Sequence, residues 1–424
     1  MSIQSSVSQA PADAGQSNTA NDTMISPAIP PVMPTYARAN LSFSHGEGVY
    51  LFSGDGHRYL DFAAGIAVNA LGHSHPHLVE TLQDQGGKLW HISNLYRVPE
   101  AERLAARLVE HSFADTMFFT NSGAEAWECG VKLIRKYFDH IGQPDRYRII
   151  CLDGAFHGRT LGGISATRQP KMIGGFGPLL DGFDVVPFGD LAAIEAAIGP
   201  RTAAIHLEPI QGEGGIRAVD AEFLRAVRAL CDQNGLLLYL DEIQCGMGRT
   251  GKLFAHEWAG ITPDVMSVAK GIGGGFPLGA CMATAKAAAG MVAGTHGSTY
   301  GGNPLATAIG NAVLDVILEP GFLSHVEQQG KALGAALVAL QSRYPGLVQQ
   351  VRGMGLMLGL RLVDAVAAGD VVARLREHNL LTVPASDNTV RLLPPLIIEQ
   401  QHIDEAIAAL DAVFAAMVTE GMGQ

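Results

Sequence analysis

The chain has 424 residues, 47% hydrophobic and 17% charged, enough to build a large core, and its length predicts two domains. Its 29 basic residues against 41 acidic ones leave a net charge of −12, which argues against nucleic acid or an anionic membrane surface as a partner. The five cysteines, Cys129, Cys151, Cys231, Cys245 and Cys281, are scattered without a C-x-x-C pair, and no apolar run approaches the roughly 18 residues of a membrane span, so a cytoplasmic protein with reduced thiols is expected.

Residues 1–34 are rich in Ser, Ala, Asn, Gln and Pro and hold no Lys or Arg; the first is Arg38. Neither the basic start and apolar core of a secretory signal nor the arginines of a mitochondrial presequence are there, so a disordered tail is expected. From Tyr36 to about Gly72, glycines punctuate short apolar runs, the pattern of strands and turns. GHSHPH follows, with His73, His75 and His77. No cysteine or carboxylate stands beside these rings and Pro76 interrupts them, so no metal site is assigned.

Met117 to Thr120 reads as a buried strand that runs into NSGAEA and a helix from about Gly123 to Phe138. A strand, a small-residue turn and a helix start make an anion site: Ser122 offers a hydroxyl, and Gly123 and Ala124 offer free N–H groups on the helix dipole. Alone, the same residues make an ordinary helix N-terminus. Tyr147 to Leu152 is a second strand, delivering DGAFHGRT. There Phe156 or His157 can cover a flat ring, and Arg159, bounded by Gly158 and Thr160, is a carboxylate clamp if the context supports it, since an isolated arginine is usually a surface charge. Ala203 to Leu207 is a third strand, ending in EPIQGEGG with Glu208 at its edge and Gln211 and Glu213 beyond. An amphipathic helix from about Ala221 to Gln233 then leads into LLLYLDEIQ.

Two apolar runs now end in ionisable groups: Leu236–Leu240 before Asp241, and Val265–Ala269 before Lys270. Open α/β sheets place ligands at the carboxyl ends of such strands. An amine and a carboxylate at one edge suit pyridoxal 5′-phosphate (PLP), the lysine as its Schiff-base partner and the aspartate on the pyridine nitrogen. The glycines after Lys270, in GIGGGFPLGA, allow a close approach to the backbone; without them Lys270 reads more readily as a solvated surface residue. Gly246 to Lys252 imitates a P-loop, but Leu253 stands where Ser or Thr must bind Mg²⁺. GSTYGGNP supplies Ser298 and Thr299 as further phosphate donors, and VRLLPPL sets Arg391 in an extended segment. Gly353 to Leu360 reads as a glycine-rich strand region, and a helix over about 401–417 closes the chain.

GIAVNALGHSHP, NSGAEA, FHGRT, EPIQGEGG, DEIQCGMGRTGKLFAHE, SVAKGIGGGFPLGA, HGSTYGGNP and RLLPPL together make the chain from about Tyr36 onward resemble the class III (ω-amino acid) aminotransferases. The resemblance implies an α/β protein of the fold-type I PLP-dependent transferase class, with a large domain built on a mostly parallel sheet flanked by helices and a smaller α+β domain from both chain ends. Its boundaries would be 35–75 and 319–424 for the small domain and 76–318 for the large one, with 1–34 outside. It implies Lys270 as Schiff-base lysine and proton carrier, Asp241 on the pyridine nitrogen, Gln244 near the phenolic oxygen, and Phe156 stacked on the ring with His157 beside it. Ser122, Gly123 and Ala124 would hold the phosphate, with Thr299 arriving from the second subunit of a homodimer. Arg159 and Tyr36 would bind substrate, and Glu208 would pair with Arg391 and release it for 2-oxoglutarate. GIAVNALGH and EPIQGEGG lean toward the branch whose donor is N2-acetyl-L-ornithine. Free-ornithine enzymes often carry an aromatic near Gly65. Ornithine, succinylornithine, N-succinyl-diaminopimelate and 4-aminobutyrate remain alternative donors, and a PLP isomerase or a non-catalytic PLP-binding protein are alternatives of other classes. Trp127 departs from the family, whose members often carry a polar residue there.

Overall fold

The structure is a computed structural model that describes residues 30–422. Most of the tail expected at 1–34 therefore lies outside the described residues. Two units are distinguished, Met1–Ser42 and Phe43–Gln424. The described part of the first is exposed apart from half-buried Leu41 and holds neither helix nor strand; Arg38 lies over the ring of Tyr36 at 5.5 Å.

In the second unit, β1 (Phe43–Glu47), β2 (Tyr50–Ser53) and β3 (Arg58–Asp61) form an antiparallel meander, to which Leu380–Leu381 adds in parallel. The main sheet has seven strands: β4 (Thr116–Thr120), β5 (Arg148–Leu152), β6 (Phe183–Val186), β7 (Thr202–Leu207), β8 (Leu237–Asp241), β9 (Val265–Val268) and β10 (Gly279–Ala283). Their spatial order is β4-β10-β9-β8-β7-β5-β6, and all but β10 run parallel. Strands β7, β8 and β9 are buried along their whole length, which is why they read as continuous apolar runs rather than alternations. A third sheet joins β11 (Val348–Met354), β12 (Met357–Leu362), β13 (Val383–Ala385) and β14 (Thr389–Leu392). The glycine-rich region near 353–360 is thus the turn of a hairpin, not one strand.

One apolar core lies against the main sheet, with Leu238, Leu240, Met266 and Val313; another joins Val49, Leu60 and Phe62 to Leu333, Leu360 and Leu410. Buried Arg249 ties distant segments together by donating to the carbonyls of Leu356, at 3.2 Å, and Pro394. His73 is spent on Asp61 at 2.8 Å and His77 on Asp315 at 2.9 Å, so these two rings of GHSHPH serve separate carboxylates. All five cysteines are free and buried. No single helix among the described residues is long and apolar enough to cross a membrane.

Helix α1 (Gly123–His140) crosses under the main sheet with Trp127, Ile134 and Phe138 buried. It lies so close that a Cβ on Gly130 would meet the Tyr239 hydroxyl at 2.5 Å, and that hydroxyl is already bound to Ser267 and to the Trp127 carbonyl. Alanine would gain about 1 kcal/mol of helix propensity, but overpacking a fixed neighbour costs about 1–3 kcal/mol. Gly130→Ala should therefore lower stability, read as a lower denaturation midpoint in urea; an unchanged or higher midpoint would mean that Tyr239 is free to move.

Candidate active site

The carboxyl ends of the parallel strands open into one cavity of about 390 Å³, within the range of small-molecule sites. Asn121, Ser122, Gly123 and Ala124 line it from β4 and α1; Phe156, His157 and Gly158 from the loop after β5; Glu208 from β7; Asp241 and Gln244 from β8; and Lys270 from just beyond β9. The strand-end logic of the sequence thus brings together Ser122, Gly123, Ala124, Phe156, His157, Glu208, Asp241, Gln244 and Lys270.

The α1 end of the cavity is a ready anion cradle. Ser122 is the N-cap and accepts the Glu125 N–H at 3.2 Å, while Gly123 and Ala124, the first two helical residues, have no intrahelical acceptor for their N–H groups. Gly158 has φ +98°, and a Cβ there would strike the Ala124 side chain at 2.7 Å, so glycine is what lets the FHG loop close on this helix end.

Opposite stand the ionisable groups. Asp241 is 3% exposed; it accepts from the Ile243 N–H at 3.0 Å and faces His157 Nδ1 at 2.8 Å. Glu208 accepts the N–H groups of Phe156 at 3.0 Å and Gly212 at 3.2 Å, yet burial, and then the Asp241 charge, push its carboxyl up to about 8. Lys270 is held below its usual value, first by burial, which outweighs the nearby Glu213, Asp241 and Glu208. Its backbone φ is +49°, a left-handed conformation costly for a non-glycine residue. Ala64, Gly65, Ile66 and Ala67 also have φ between 45° and 64°, just before the cavity-lining Val68. Strain of this kind gathers at functional sites.

The expected Glu208–Arg391 pair is not formed. Arg391, 1% exposed, donates from Nη1 to Glu213 Oε1 at 2.6 Å and to Gln244 Oε1 at 3.0 Å. Glu208 is held by backbone N–H groups instead, and Gly212 lets the chain turn so that Glu213 reaches the arginine. A Cβ on Gly212 would meet the Gln244 amide at 2.2–2.3 Å. Glu213 was visible in EPIQGEGG, but strand-end reasoning selects Glu208 because it comes first. Arg159 is exposed, its guanidinium 5.8 Å from the Phe156 ring, outside the cavity wall. Thr299 is also exposed and outside it, although the neighbouring Ser298 hydroxyl lies 3.4 Å from Asn121 Nδ2. Tyr36 belongs to the first unit and is exposed.

The sequence pattern of the family described as Aminotransferase class-III matches residues 33–414. The chain is 59% identical over 383 residues to an acetylornithine aminotransferase from Brucella melitensis, covering 90% of this chain and 94% of that one. It is 58% identical over 392 residues to an acetylornithine aminotransferase from Rhodobacter capsulatus, covering 92% and 99%. Among solved structures, the N-acetylornithine aminotransferase from Stenotrophomonas maltophilia is 38% identical with a TM-score of 0.80 over 91% of this chain and 98% of that one. The ornithine aminotransferase from Toxoplasma gondii, described with partial occupancy of PLP at its active site, is 31% identical with a TM-score of 0.88 over 92% and 93%.

The raised Glu208 carboxyl has a consequence for the apoprotein. Between its ordinary value near 4.5 and about 8, the folded state keeps a proton that the unfolded state has released. The folded state then binds more protons, so this group's contribution to stability falls as pH rises through that window. Glu208→Gln cannot titrate. The melting temperature of apo Glu208→Gln relative to the parent should climb steadily from pH 5 to pH 8; a constant difference would mean that Glu208 ionises normally.

Proposed function

Because the chain belongs to the class-III aminotransferases, which use PLP on the fold-type I architecture, we propose that it moves the ω-amino group of N2-acetyl-L-ornithine to 2-oxoglutarate, giving N-acetyl-L-glutamate 5-semialdehyde and L-glutamate, a step of arginine biosynthesis. The observation that carries the chemistry is the cavity that Lys270 and Asp241 share at the ends of two neighbouring parallel strands. The identity of 58–59% to relatives named as acetylornithine aminotransferases supports the donor.

The residues present fit the cofactor. The free N–H groups of Gly123 and Ala124 suit its phosphate, the Phe156 ring suits its face, and Asp241, an acceptor kept in place by two partners, suits its ring nitrogen. When bound, PLP supplies the electron sink of a protonated pyridine ring. Lys270 does the proton work: burial favours its neutral amine, so it can take a proton from the substrate carbon beside nitrogen and return one to the cofactor side. Asp241, as an anion, keeps the ring nitrogen protonated. Gln244, which also accepts from Arg391, is assigned to the cofactor's phenolic oxygen. Arg159 is assigned to the donor's distant α-carboxylate.

One pocket must accept an ω-amine, whose reacting carbon lies far from any carboxylate, and 2-oxoglutarate, whose carboxylate adjoins it. In the first half-reaction Glu213 neutralises Arg391, sparing a buried guanidinium without a counter-charge. In the second, Arg391 turns from Glu213 to the oxo-acid carboxylate. Glu208 remains a neutral wall of the pocket.

The protein is proposed to act in the cytoplasm as a homodimer, with Thr299 reaching the partner's phosphate. The exposed Trp90, Leu95, Tyr96 and Tyr300 support an interface in this region, where Asn94 binds the Ser298 and Gly301 carbonyls at 3.0 Å. The small domain from 35–75 and 319–424 around a large one at 76–318 belongs to the same proposal, supported by the core joining Val49 and Phe62 to Leu333.

The TM-score of 0.88 to an ornithine aminotransferase favours free ornithine as a second reading. A panel of amine donors with 2-oxoglutarate, following glutamate, separates the two. N2-acetylornithine should exceed ornithine in kcat/KM by roughly tenfold or more; equal or reversed values would overturn the acetylated donor. The arginine switch is tested by single-turnover kinetics of each half-reaction. Glu213→Gln should slow the ω-amine half-reaction, hold or speed the 2-oxoglutarate one, and raise activity toward glutamate as donor. Equal slowing of both would make Glu213 a structural carboxylate.

A further inference from the structure

From His157, which lines the cavity and holds Asp241, a buried chain of rings continues through two residues outside the cavity lining that the proposed mechanism does not use, Trp127 and His206. The Trp127 indole Nε1–H donates to His206 Nε2 at 2.8 Å. His206 Nδ1 faces the Tyr239 carbonyl at 3.0 Å. His206 Nε2 also lies 3.3 Å from His157 Nδ1, which is 2.8 Å from Asp241 Oδ2. The Trp127 ring stacks on His157 with planes 6° apart and centroids 5.6 Å apart. All four side chains are at most 3% exposed.

These contacts leave one proton arrangement. A carbonyl accepts only, so His206 Nδ1 carries hydrogen. An indole N–H donates only, so His206 Nε2 carries a lone pair. His206 is therefore neutral with a fixed tautomer, in keeping with burial holding it well below the usual imidazole value. That nitrogen, which has no hydrogen to offer, lies 3.3 Å from His157 Nδ1, and the Asp241 carboxylate lies 2.8 Å from it. A bare Nδ1 would set lone pair against lone pair and would put the hydrogen on His157 Nε2, which is buried without a partner. A buried N–H without an acceptor is unfavourable there. His157 thus carries its hydrogen on Nδ1 and gives it to Asp241. His157, His206 and Asp241 also cluster closely enough to suggest a metal site. However, both nitrogens of His206 are already committed, so the cluster has no lone pair from that ring for a cation.

We propose that Trp127 and His206 are positioning residues: they fix the tautomer of His157, so that its Nδ1–H stays on Asp241 and Asp241 meets the cofactor's ring nitrogen as an oriented anion. The inference rests on the aminotransferase reading. The titratable groups facing His206 are His157 from the loop after β5, Tyr239 stacked on it from β8 at 4.1 Å, Asp241 two residues on, and Cys151 in register on β5. Trp127 is the contribution of α1.

Trp127→Phe keeps an aromatic ring against His157 but removes the N–H. His206 Nε2 is then free to take a proton. Protonated, it donates to His157 Nδ1 and drives the hydrogen of His157 onto Nε2, away from Asp241. Long-range proton–nitrogen spectra of histidine-labelled apoprotein should show His157 and His206 fixed as Nδ1–H tautomers in the parent from pH 6 to 8. In Trp127→Phe, His157 should populate the Nε2–H form increasingly toward low pH. In the holoenzyme the variant should lose roughly tenfold in kcat at pH 6, less at pH 8, with KM for the donor little changed. Adding His206→Leu should remove that pH dependence, because the titrating ring is gone. Parent-like tautomers and a parent-like pH profile in Trp127→Phe would overturn the proposal and leave Trp127 a packing residue. Should that variant not fold, His206→Leu decides: a single unchanged Nδ1–H signal from His157 would sink the idea, and exchange between tautomers would sustain it. An inactive parent would instead indict the aminotransferase reading, since the tautomer spectra do not depend on turnover.

Discussion

The site depends on keeping one carboxylate charged where water does not reach. Asp241 lies at the end of a strand buried throughout, and an anion there survives only if donors replace its hydration. The Ile243 N–H and the His157 ring do so. Glu208 is the counterexample within the same cavity. It too accepts two N–H groups, but with Asp241 as a neighbour a second negative charge is costly, and its carboxyl stays protonated well above the usual range. The Asp241 charge is thus one of the causes, after burial, that keep Glu208 neutral in the same cavity.

A second pair of charges lies nearby under different rules. Arg391 and Glu213 are close enough to Lys270 that both bear on its amine, the first lowering and the second raising its affinity for a proton. Their effects oppose each other while they stay paired. In the proposed switch Arg391 would turn to a substrate carboxylate while Glu213 stays in place, so the lysine would then have one more anion near it, favouring its protonated form.

Much of this was legible in the sequence because parallel strands announce their carboxyl ends: an apolar run stops at an ionisable residue, as at Asp241 and Lys270. The anion cradle at Ser122, Gly123 and Ala124 was legible for the same reason, a strand running directly into a helix. What stayed hidden was lateral. Strand β10 is a run of small residues with no period of its own, and its antiparallel insertion between β4 and β9 depends on pairing, not pattern. Whether Glu208 or Glu213 meets Arg391 is decided by a turn at Gly212 that brings two distant segments together. Trp127 and His206 are 79 residues apart, and only the contact between α1 and β7 shows that one donates to the other.

The five buried thiols described with the fold are spread over different parts of it: Cys129 on α1, Cys151 on β5, Cys231 on the helix Ala221–Asn234, Cys245 in the turn after β8 and Cys281 on β10. Burial pushes the Cys231 thiol up to about 12 and those of Cys151 and Cys245 higher than usual as well. A thiolate-seeking reagent therefore finds nothing to attack in the closed molecule. Each cysteine becomes reactive only while its own segment is open, so the alkylation rates, resolved by peptide, form a set of internal clocks that time how often each layer of the sheet breathes.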